Sequence, residues 1–229
     1  MRLGLTLAVK SDMLSGCLLY NRVNLCKSGK SNSVRIISGN WRGRRLPVAE
    51  VPGLRPSGDR SRETLFNWLQ PWIAGSDCAD LFAGTGALGF EAASRGAKSV
   101  LMIEKHPKAQ AVLLQSIEQL QAIQVSLHQG GAMSRIEDFK SDSFDIVFVD
   151  PPFDSNLGGL VMERLHKTGC VRRGGFVYLE SPVSETRQIS PPKGWSVWRD
   201  QPIGDVRMQL FRRNLQEDER NSSDDRSTE

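Results

Sequence analysis

The fold of this chain is decided by the stretch Asp80-Leu81-Phe82-Ala83-Gly84-Thr85-Gly86-Ala87-Leu88-Gly89. Its glycines follow the pattern G-x-G-x-x-G, between the end of a strand predicted over residues 78–83 and a helix predicted over residues 87–94. Glycines at these positions let a ligand approach the backbone at the N-terminus of a helix. An acidic residue, Glu104, follows Gly84 by 20 positions, at the end of the next apolar run. The pattern therefore predicts a cofactor whose ribose hydroxyls bind Glu104.

Strands and helices alternate along most of the chain. Apolar runs predict further strands over residues 99–103, 125–128, 144–149 and 175–180, and helical spacing predicts helices over residues 107–120 and 157–166. An antiparallel pair over residues 195–198 and 208–212 is predicted to close the sheet, and an amphipathic helix over residues 60–69, capped near Ser57 or Asp59, to precede it. This alternation predicts a doubly wound, mostly parallel sheet with helices on both faces.

A second informative stretch, Asp150-Pro151-Pro152-Phe153, follows the apolar run 144–149. Its carboxylate and carbonyl groups can accept hydrogen bonds from an amino group, and its aromatic ring can stack on a planar base. The alternative is a plain structural turn, since prolines end strands. Because ligands of this fold bind at the carboxyl ends of strands, we expect the turn and the glycine loop to face one crevice.

The carboxylate of Asp80 distinguishes between two classes of cofactor. A nicotinamide dinucleotide would bring a pyrophosphate close to this negative charge, whereas S-adenosylmethionine carries ammonium and sulfonium cations that the charge attracts. The Asp-Pro-Pro-Phe turn offers acceptors for an amino group and no group for hydride transfer. We therefore favour methyl transfer over the oxidoreductase that the glycine pattern alone also permits.

Length and composition predict one main domain, since the chain has 229 residues and 39% hydrophobic content. Its 4 cysteines form no CxxC pair and its 3 histidines lie apart, so we expect no metal site, no disulfide framework and a cytoplasmic location. Residues 14–17 resemble a lipoprotein cleavage box, but charges at Lys10 and Asp12 interrupt the apolar region that a signal peptide needs. No membrane span is predicted.

Basic charge is concentrated near the N-terminus. Residues 1–60 hold 11 basic and 3 acidic side chains, residues 214–229 hold 2 and 6, and the segment between them holds 17 of each. We predict a disordered extension over residues 1–33, a basic RNA-binding segment with the first helix over 34–70, the catalytic domain over 71–213 and a disordered acidic tail over 214–229.

The basic segment carries the most specific signatures, Arg35-Ile36-Ile37-Ser38-Gly39-Asn40-Trp41-Arg42-Gly43-Arg44-Arg45-Leu46 and Leu54-Arg55-Pro56-Ser57-Gly58-Asp59-Arg60-Ser61-Arg62-Glu63-Thr64-Leu65-Phe66-Asn67. Over residues 34–213 the chain resembles the RsmD family. That resemblance implies a class I S-adenosylmethionine-dependent methyltransferase fold, Rossmann-like with seven strands, preceded by a small hairpin and helix. It also implies methylation of the exocyclic N2 of a guanine in 16S ribosomal RNA. The Asp-Pro-Pro-Phe turn alone is shared with many amino-methyltransferases.

The expected catalytic residues are Asp150, Pro151, Pro152 and Phe153, with the Asp150 carboxylate and the Pro151 carbonyl accepting the two N–H bonds and Phe153 stacking on the extruded base. Cofactor contacts are expected from Asp80, Phe82, Gly84, Thr85, Gly86, Glu104, Lys105, Gly131, Ala132 and Asp150. Related enzymes place Asp or Asn where this chain has Gly130 and Gly131, so adenine recognition is expected from backbone groups at Gly131 and Ala132.

RNA phosphate contacts are expected from Arg42, Arg44, Arg45, Arg55, Arg60 and Arg62, with Trp41 as a stacking platform. The alternatives are a solvated charged surface, a Trp41 packed against the sheet and an Arg62 that orders the crevice. Two of the predicted cofactor residues also have a purely structural interpretation: Asp80 as a helix cap and Glu104 as a solvated residue at a strand end.

Two other functions fit the same motifs. The Asp-Pro-Pro-Phe turn equally permits adenine-N6 methylation of DNA, and the alternative outside catalysis is an RNA-binding scaffold that retains the fold without turnover. The predicted partner is 16S ribosomal RNA or a partly assembled small subunit, and a single domain with a loose basic segment is compatible with a monomer.

Overall fold

The computed structural model describes residues 33–51, 58–152, 157–184 and 189–216. The predicted N-terminal extension up to residue 32, the end of the acidic tail from residue 217, Arg55, Ser57 and Phe153 lie outside the described residues. The elements are β1 (Ser33–Arg35), β2 (Arg45–Pro47), α1 (Asp59–Ile73), β3 (Asp77–Asp80), α2 (Ala87–Ser94), β4 (Ser99–Glu104), α3 (Pro107–Leu120), β5 (Val125–Gln129), α4 (Ala132–Glu137), β6 (Phe144–Val149), α5 (Leu157–Thr168), β7 (Val171–Pro182), β8 (Trp195–Ile203) and β9 (Val206–Arg213).

Seven strands form one sheet in the order β5-β4-β3-β6-β7-β9-β8. The first five of these are parallel, and β9 is antiparallel to both β7 and β8. The predicted doubly wound, mostly parallel sheet is therefore confirmed. The strand order reverses between β3 and β6, and in such sheets the ligand crevice opens at this reversal. None of the helices in the described ranges is both long and apolar enough to cross a membrane.

The two faces of the sheet bury separate apolar cores. Phe148 and Tyr178 belong to the core that also contains apolar side chains of α1, α2 and α3, whereas Val149 and Leu179 pack with α4 and α5. Successive side chains of a strand point to opposite faces, so a strand covered on both sides must be apolar throughout. This explains the uninterrupted apolar run Ile146–Val149 in β6.

Helix α1 is longer than predicted, because it continues through Pro71 to Ile73. The ring of Trp72 packs 4.7 Å from that of Phe176, and Ile73 is buried, so the last turn buries apolar surface despite the proline. The helix was predicted to be capped near Ser57 or Asp59; its N-cap is Gly58, between them, with no side-chain cap bond, and the Asp59 carboxylate accepts from Arg62. The short helix α4 was not predicted.

We call residues 34–51 the arm. Strands β1 and β2 pair antiparallel, with Val34 opposite Leu46, and both side chains are buried in the core of α1 and α2. The arm is thus part of the main core, and its loop over residues 39–44 lies against α2, where Asn40 N–H donates to the Ser94 carbonyl at 2.8 Å.

Candidate active site

Three neighbouring strands carry an acidic residue at their carboxyl ends. β3 ends at Asp80, Asp150 directly follows β6, and Glu180 lies near the end of β7. Each stands two positions after a residue of the α1 and α2 core, so the side chains start from the same face of the sheet. The structure therefore brings the glycine loop and the Asp-Pro-Pro turn together, and it adds Glu180 to them.

Asp80 is buried and only half satisfied. Its Oδ2 accepts from the Gly89 N–H of α2 at 3.0 Å, and its Oδ1 is buried with no hydrogen-bond partner among the described residues. Burial raises the pKa of Asp80 to about 7, and the nearby negative charges of Asp150 and Glu104 act in the same direction. Asp80 thus caps α2, which was the alternative to a cofactor contact in the sequence-based prediction. Its second oxygen remains able to accept from a cation.

Two glycines of the loop are required by helix packing itself. A Cβ on Gly86, whose φ is 75°, would lie 2.6 Å from the ring of Phe90, and a Cβ on Gly89 would lie 2.5 Å from Met102. Gly84 also has a positive φ, of 53°. Thr85 is buried, and its Oγ1 accepts from the Ala87 N–H at 3.3 Å. The packing of α2 therefore accounts for Gly86 and Gly89 without a ligand, because Gly86 approaches ring atoms of Phe90 and Gly89 approaches Met102 of the sheet.

The carboxylate of Glu104 is held in place by the backbone. Its Oε2 accepts from the Gly84 N–H at 2.8 Å, and its Oε1 accepts from the His106 N–H at 2.7 Å. Each oxygen keeps a second lone pair for a hydroxyl donor. Phe82 is half-buried and Lys105 is exposed on either side of this contact. Glu104 is therefore an oriented acceptor and not a freely solvated side chain.

The loop after β5 lies beside Glu104, because the Gly130 N–H donates to the Glu104 carbonyl at 2.9 Å. Gly131 is the N-cap of α4, and Ala132, the first residue of that helix, is buried. Backbone N–H groups in a first helical turn have no partner within the helix. The loop thus places backbone donors next to the acidic end of β4.

The turn after β6 combines a half-buried Asp150, a buried Pro151 and an exposed Pro152. The prolines have no N–H, so their backbone offers only acceptors. The negative charge of Asp150 helps to raise the pKa of the neighbouring Glu180.

Glu180 belongs to the candidate active site, although the sequence motifs did not predict it there. It is 4% exposed, and its Oε2 accepts from the hydroxyl of the buried Tyr178 at 2.7 Å. Burial raises the pKa of Glu180 to about 7. The strand predicted over residues 175–180 ends at Glu180. An acidic residue at the end of an apolar run also marks Asp80 and Glu104, so the same pattern could have identified Glu180 from the sequence.

A buried network of charges joins the arm to α1 and α2. The side chain of Glu91 in α2 is fully buried. Its carboxylate accepts from the backbone N–H groups of Ile37 at 2.7 Å and Ser38 at 3.0 Å. Arg62 is equally buried; its Nη1 lies 3.7 Å from Glu91, and its Nη2 donates to the Arg35 carbonyl at 2.9 Å. The expected RNA contact of Arg62 is therefore corrected, since a buried guanidinium cannot reach a phosphate.

The other arm residues divide between packing and exposure. The ring of Trp41 lies 6.4 Å from that of Phe90 in an edge-on contact, so it packs on α2. Four of the predicted RNA contacts are exposed, namely Arg42, Arg44, Arg45 and Arg60. The arm loop meets the carboxyl end of α2, whereas the glycine loop precedes its amino end, a separation of roughly 12 Å for eight residues.

A separate cavity of about 390 Å³ lies at the opposite edge of the sheet. Trp72, Ser76 and Arg212 are among the side chains that line it, and it contains none of the predicted site residues. We place the candidate site at the carboxyl edge, because ligands of doubly wound sheets bind there and the acidic strand ends converge there.

Comparisons with known proteins identify relatives over most of the chain. Residues 34–212 match the family described as conserved hypothetical protein 95. The ribosomal RNA small subunit methyltransferase D of Escherichia coli K12 is 41% identical over 186 residues, which cover 81% of this chain and 93% of that protein. The protein of the same name from Haemophilus influenzae is 39% identical over 184 residues, covering 78% and 93%. The solved structure of yhhF from Escherichia coli superimposes with a TM-score of 0.73 at 38% identity, covering 80% of this chain and 99% of that one.

Proposed function

Since the chain belongs to the family of conserved hypothetical protein 95 and of ribosomal RNA small subunit methyltransferase D, we propose that it methylates the N2 amino group of a guanine in 16S ribosomal RNA with S-adenosylmethionine. The location of the proposed active site is supported by one observation. The glycine loop with Asp80 and the Asp150-Pro151 turn follow adjacent strands, and their carboxylates lie on one face of the sheet. A methyl donor and an amino acceptor need this arrangement of neighbouring subsites.

The residues of the first subsite fit the cofactor. When bound, S-adenosylmethionine supplies an electrophilic methyl group on a sulfonium. The buried Oδ1 of Asp80 would balance its positive charge, and the oriented Glu104 carboxylate would accept from its ribose hydroxyls. Backbone groups of Gly131 and Ala132, beside Glu104, would bind the adenine. Phe82, Gly84, Thr85, Gly86, Lys105 and Asp150 complete this proposed set.

The second subsite holds the amino group. The Asp150 carboxylate and the Pro151 carbonyl would accept its two N–H bonds and orient the nitrogen lone pair towards the methyl group. Because the nitrogen is cationic after methylation, it can then release one proton to the Asp150 carboxylate. Pro152 and Phe153 would bound the base, with Phe153 stacked on its face. Positioning of the two reactants supplies most of the rate enhancement in this scheme.

The exposed cations on the arm and α1 suit the RNA backbone. Arg42 and Arg44 belong to the loop over residues 39–44, which contacts the C-terminal end of α2; Arg45 is the first residue of β2, and Arg60 lies in the first turn of α1. The RNA would therefore extend over α2 for at least one helix length, with the target base at the acidic strand ends. Arg55 belongs to the same proposed set.

We further propose that the protein acts as a monomer in the cytoplasm, without a metal, on 16S ribosomal RNA or a partly assembled small subunit. Among the described residues no group of three or more His, Cys, Asp or Glu side chains is arranged to hold a metal ion.

The proposal is tested by transfer of a labelled methyl group to free 16S RNA, to assembled small subunits and to DNA, followed by mapping of the modified base. We expect N2-methylguanine in ribosomal RNA; N6-methyladenine in DNA would overturn the substrate assignment. The Asp150→Ala variant should lose turnover by at least 100-fold while calorimetry still shows cofactor binding. Asp138→Asn, a change of an exposed side chain at the C-cap of α4, serves as the control.

A further inference from the structure

The carboxyl group of Glu180 has no part in the mechanism above, although it lies in the same site. β6 and β7 are parallel neighbours, and Val149 is paired with Leu179. One step further along both strands places Glu180 beside Asp150. Both side chains start from the face that carries α1, so the two acids are adjacent on one surface.

Glu180 is held in a defined orientation. The hydroxyl of Tyr178, on the same face and two positions earlier, donates to its Oε2 at 2.7 Å, and both residues are buried. Burying an acid next to another acid lowers stability, and an apolar pair of similar volume would pack here without that cost. A buried and oriented acid at the edge of a ligand crevice is typical of a group that contacts the ligand.

We propose that Glu180 determines the choice of base, with its carboxylate accepting the N1–H of the target guanine while Asp150 and Pro151 hold the N2 amino group. This inference rests on the proposed function. Guanine presents N1–H and N2–H side by side on its Watson–Crick edge, so two adjacent carboxylates match two adjacent donors. Adenine has an acceptor at N1, which the Glu180 carboxylate repels once it is ionised, above its pKa of about 7, so the assays are run at about pH 8. Glu180 would thus exclude adenine from a turn that alone accepts either base.

The experiment uses RNA substrates in which the target guanine is replaced by 2-aminopurine, which keeps the amino group and lacks N1–H. For the unmodified protein, kcat/KM should be roughly 10- to 100-fold higher with guanine, the effect of one hydrogen bond to a charged group. In Glu180→Gln this ratio should fall towards 1, because kcat/KM with guanine falls when the charged acceptor is lost, while that with 2-aminopurine rises because the repulsion of its N1 is removed.

A second variant keeps the test valid if Glu180→Gln fails to fold. Tyr178→Phe combined with Glu180→Leu replaces both polar partners by apolar groups of similar shape, a change that cores tolerate. The control is Glu118→Gln, the same chemical change at an exposed position on α3. In every variant used, the unfolding temperature should be no lower than that of the unmodified protein, and calorimetric cofactor binding should match that of the unmodified protein.

The outcomes separate this inference from the proposed function. If the unmodified protein transfers no methyl group to guanine in ribosomal RNA, the proposed function fails. If it does so, and both Glu180 variants keep the full preference for guanine over 2-aminopurine, only the role of Glu180 is overturned. A loss of kcat/KM that is equal for both bases would likewise contradict a contact at N1–H.

Discussion

Replacing Gly39 by alanine should separate the arm loop from α2. Gly39 has a φ of 81°, and a Cβ at this position would lie 1.9 Å from the carbonyl oxygen of Ser94. A backbone oxygen cannot rotate away, so the loop itself must move. Three hydrogen bonds with Ser94 would be lost. Asn40 N–H donates to its carbonyl at 2.8 Å, Trp41 N–H donates to its hydroxyl at 2.9 Å, and that hydroxyl donates to the Ser38 carbonyl at 2.6 Å.

Gly43 provides a matched control in the same loop. Its φ is 83°, and a Cβ at this position would have no heavy atom of the described residues within 4 Å apart from those of its chain neighbours. Both alanine variants carry the cost of a left-handed backbone, about 1–2 kcal/mol. Only Gly39→Ala also loses the three hydrogen bonds, at about 1 kcal/mol each. Its free energy of unfolding should therefore be roughly 3 kcal/mol lower than that of Gly43→Ala, which corresponds to a further fall in Tm of roughly 6–12 °C.

Thermal unfolding of the two variants, followed by circular dichroism or calorimetry, measures this difference. Hydrogen exchange of the Asn40 and Trp41 amides then localises it, since both amides should lose protection in Gly39→Ala alone. Equal Tm values for the two variants, with the amides still protected, would show that Gly39 is not the point of close approach and would refute the argument.

Three further predictions concern the charges. Glu91→Gln leaves the buried Arg62 poorly compensated and weakens the bonds to the arm, so it should lower the free energy of unfolding by roughly 3–5 kcal/mol in urea titrations, whereas Glu118→Gln should have almost no effect. Asp80 has a pKa of about 7 in the folded state against an ordinary 3.8, so its protonation favours folding; that stabilisation is complete below about pH 4 and is lost as the pH rises through 7. Calorimetric Tm values should therefore fall less between pH 5 and 8 in Asp80→Asn than in the unmodified protein, and parallel curves would contradict the burial argument. Replacing Arg42, Arg44 and Arg45 together by alanine should reduce the slope of log affinity for RNA against log salt by roughly 2, while Lys193→Ala leaves it unchanged; an unaltered slope would remove the arm from the RNA interface.

Most of the sheet was predictable because its signals are local. The bounds of α2, α3 and β6 are those that the sequence predicts, since each element is delimited by glycine, proline or a change of periodicity. Two elements differ for reasons that lie elsewhere in the chain. α1 continues past Pro71 because Phe176 of β7 covers Trp72, and α4 is too short for its period to be visible.

The same division applies to the candidate site. Asp80, Glu104 and Asp150 could be selected from the sequence, because an acidic residue at the end of an apolar strand must lie at the ligand edge of a doubly wound sheet. Their roles toward cofactor and substrate stay predictions. What the sequence could not show was the partner of each buried charge.

By itself, then, the sequence determined the parallel sheet, the glycine loop and the acidic strand ends, all of which follow from short-range patterns. Only the tertiary structure decided that Arg62 is buried against Glu91 instead of facing RNA, because this depends on the packing of α1 on α2. It also decided that Glu180 lies beside Asp150, because the pairing of β6 with β7 joins residues that are distant along the chain. Strand register and helix packing are long-range properties, and no local pattern encodes them.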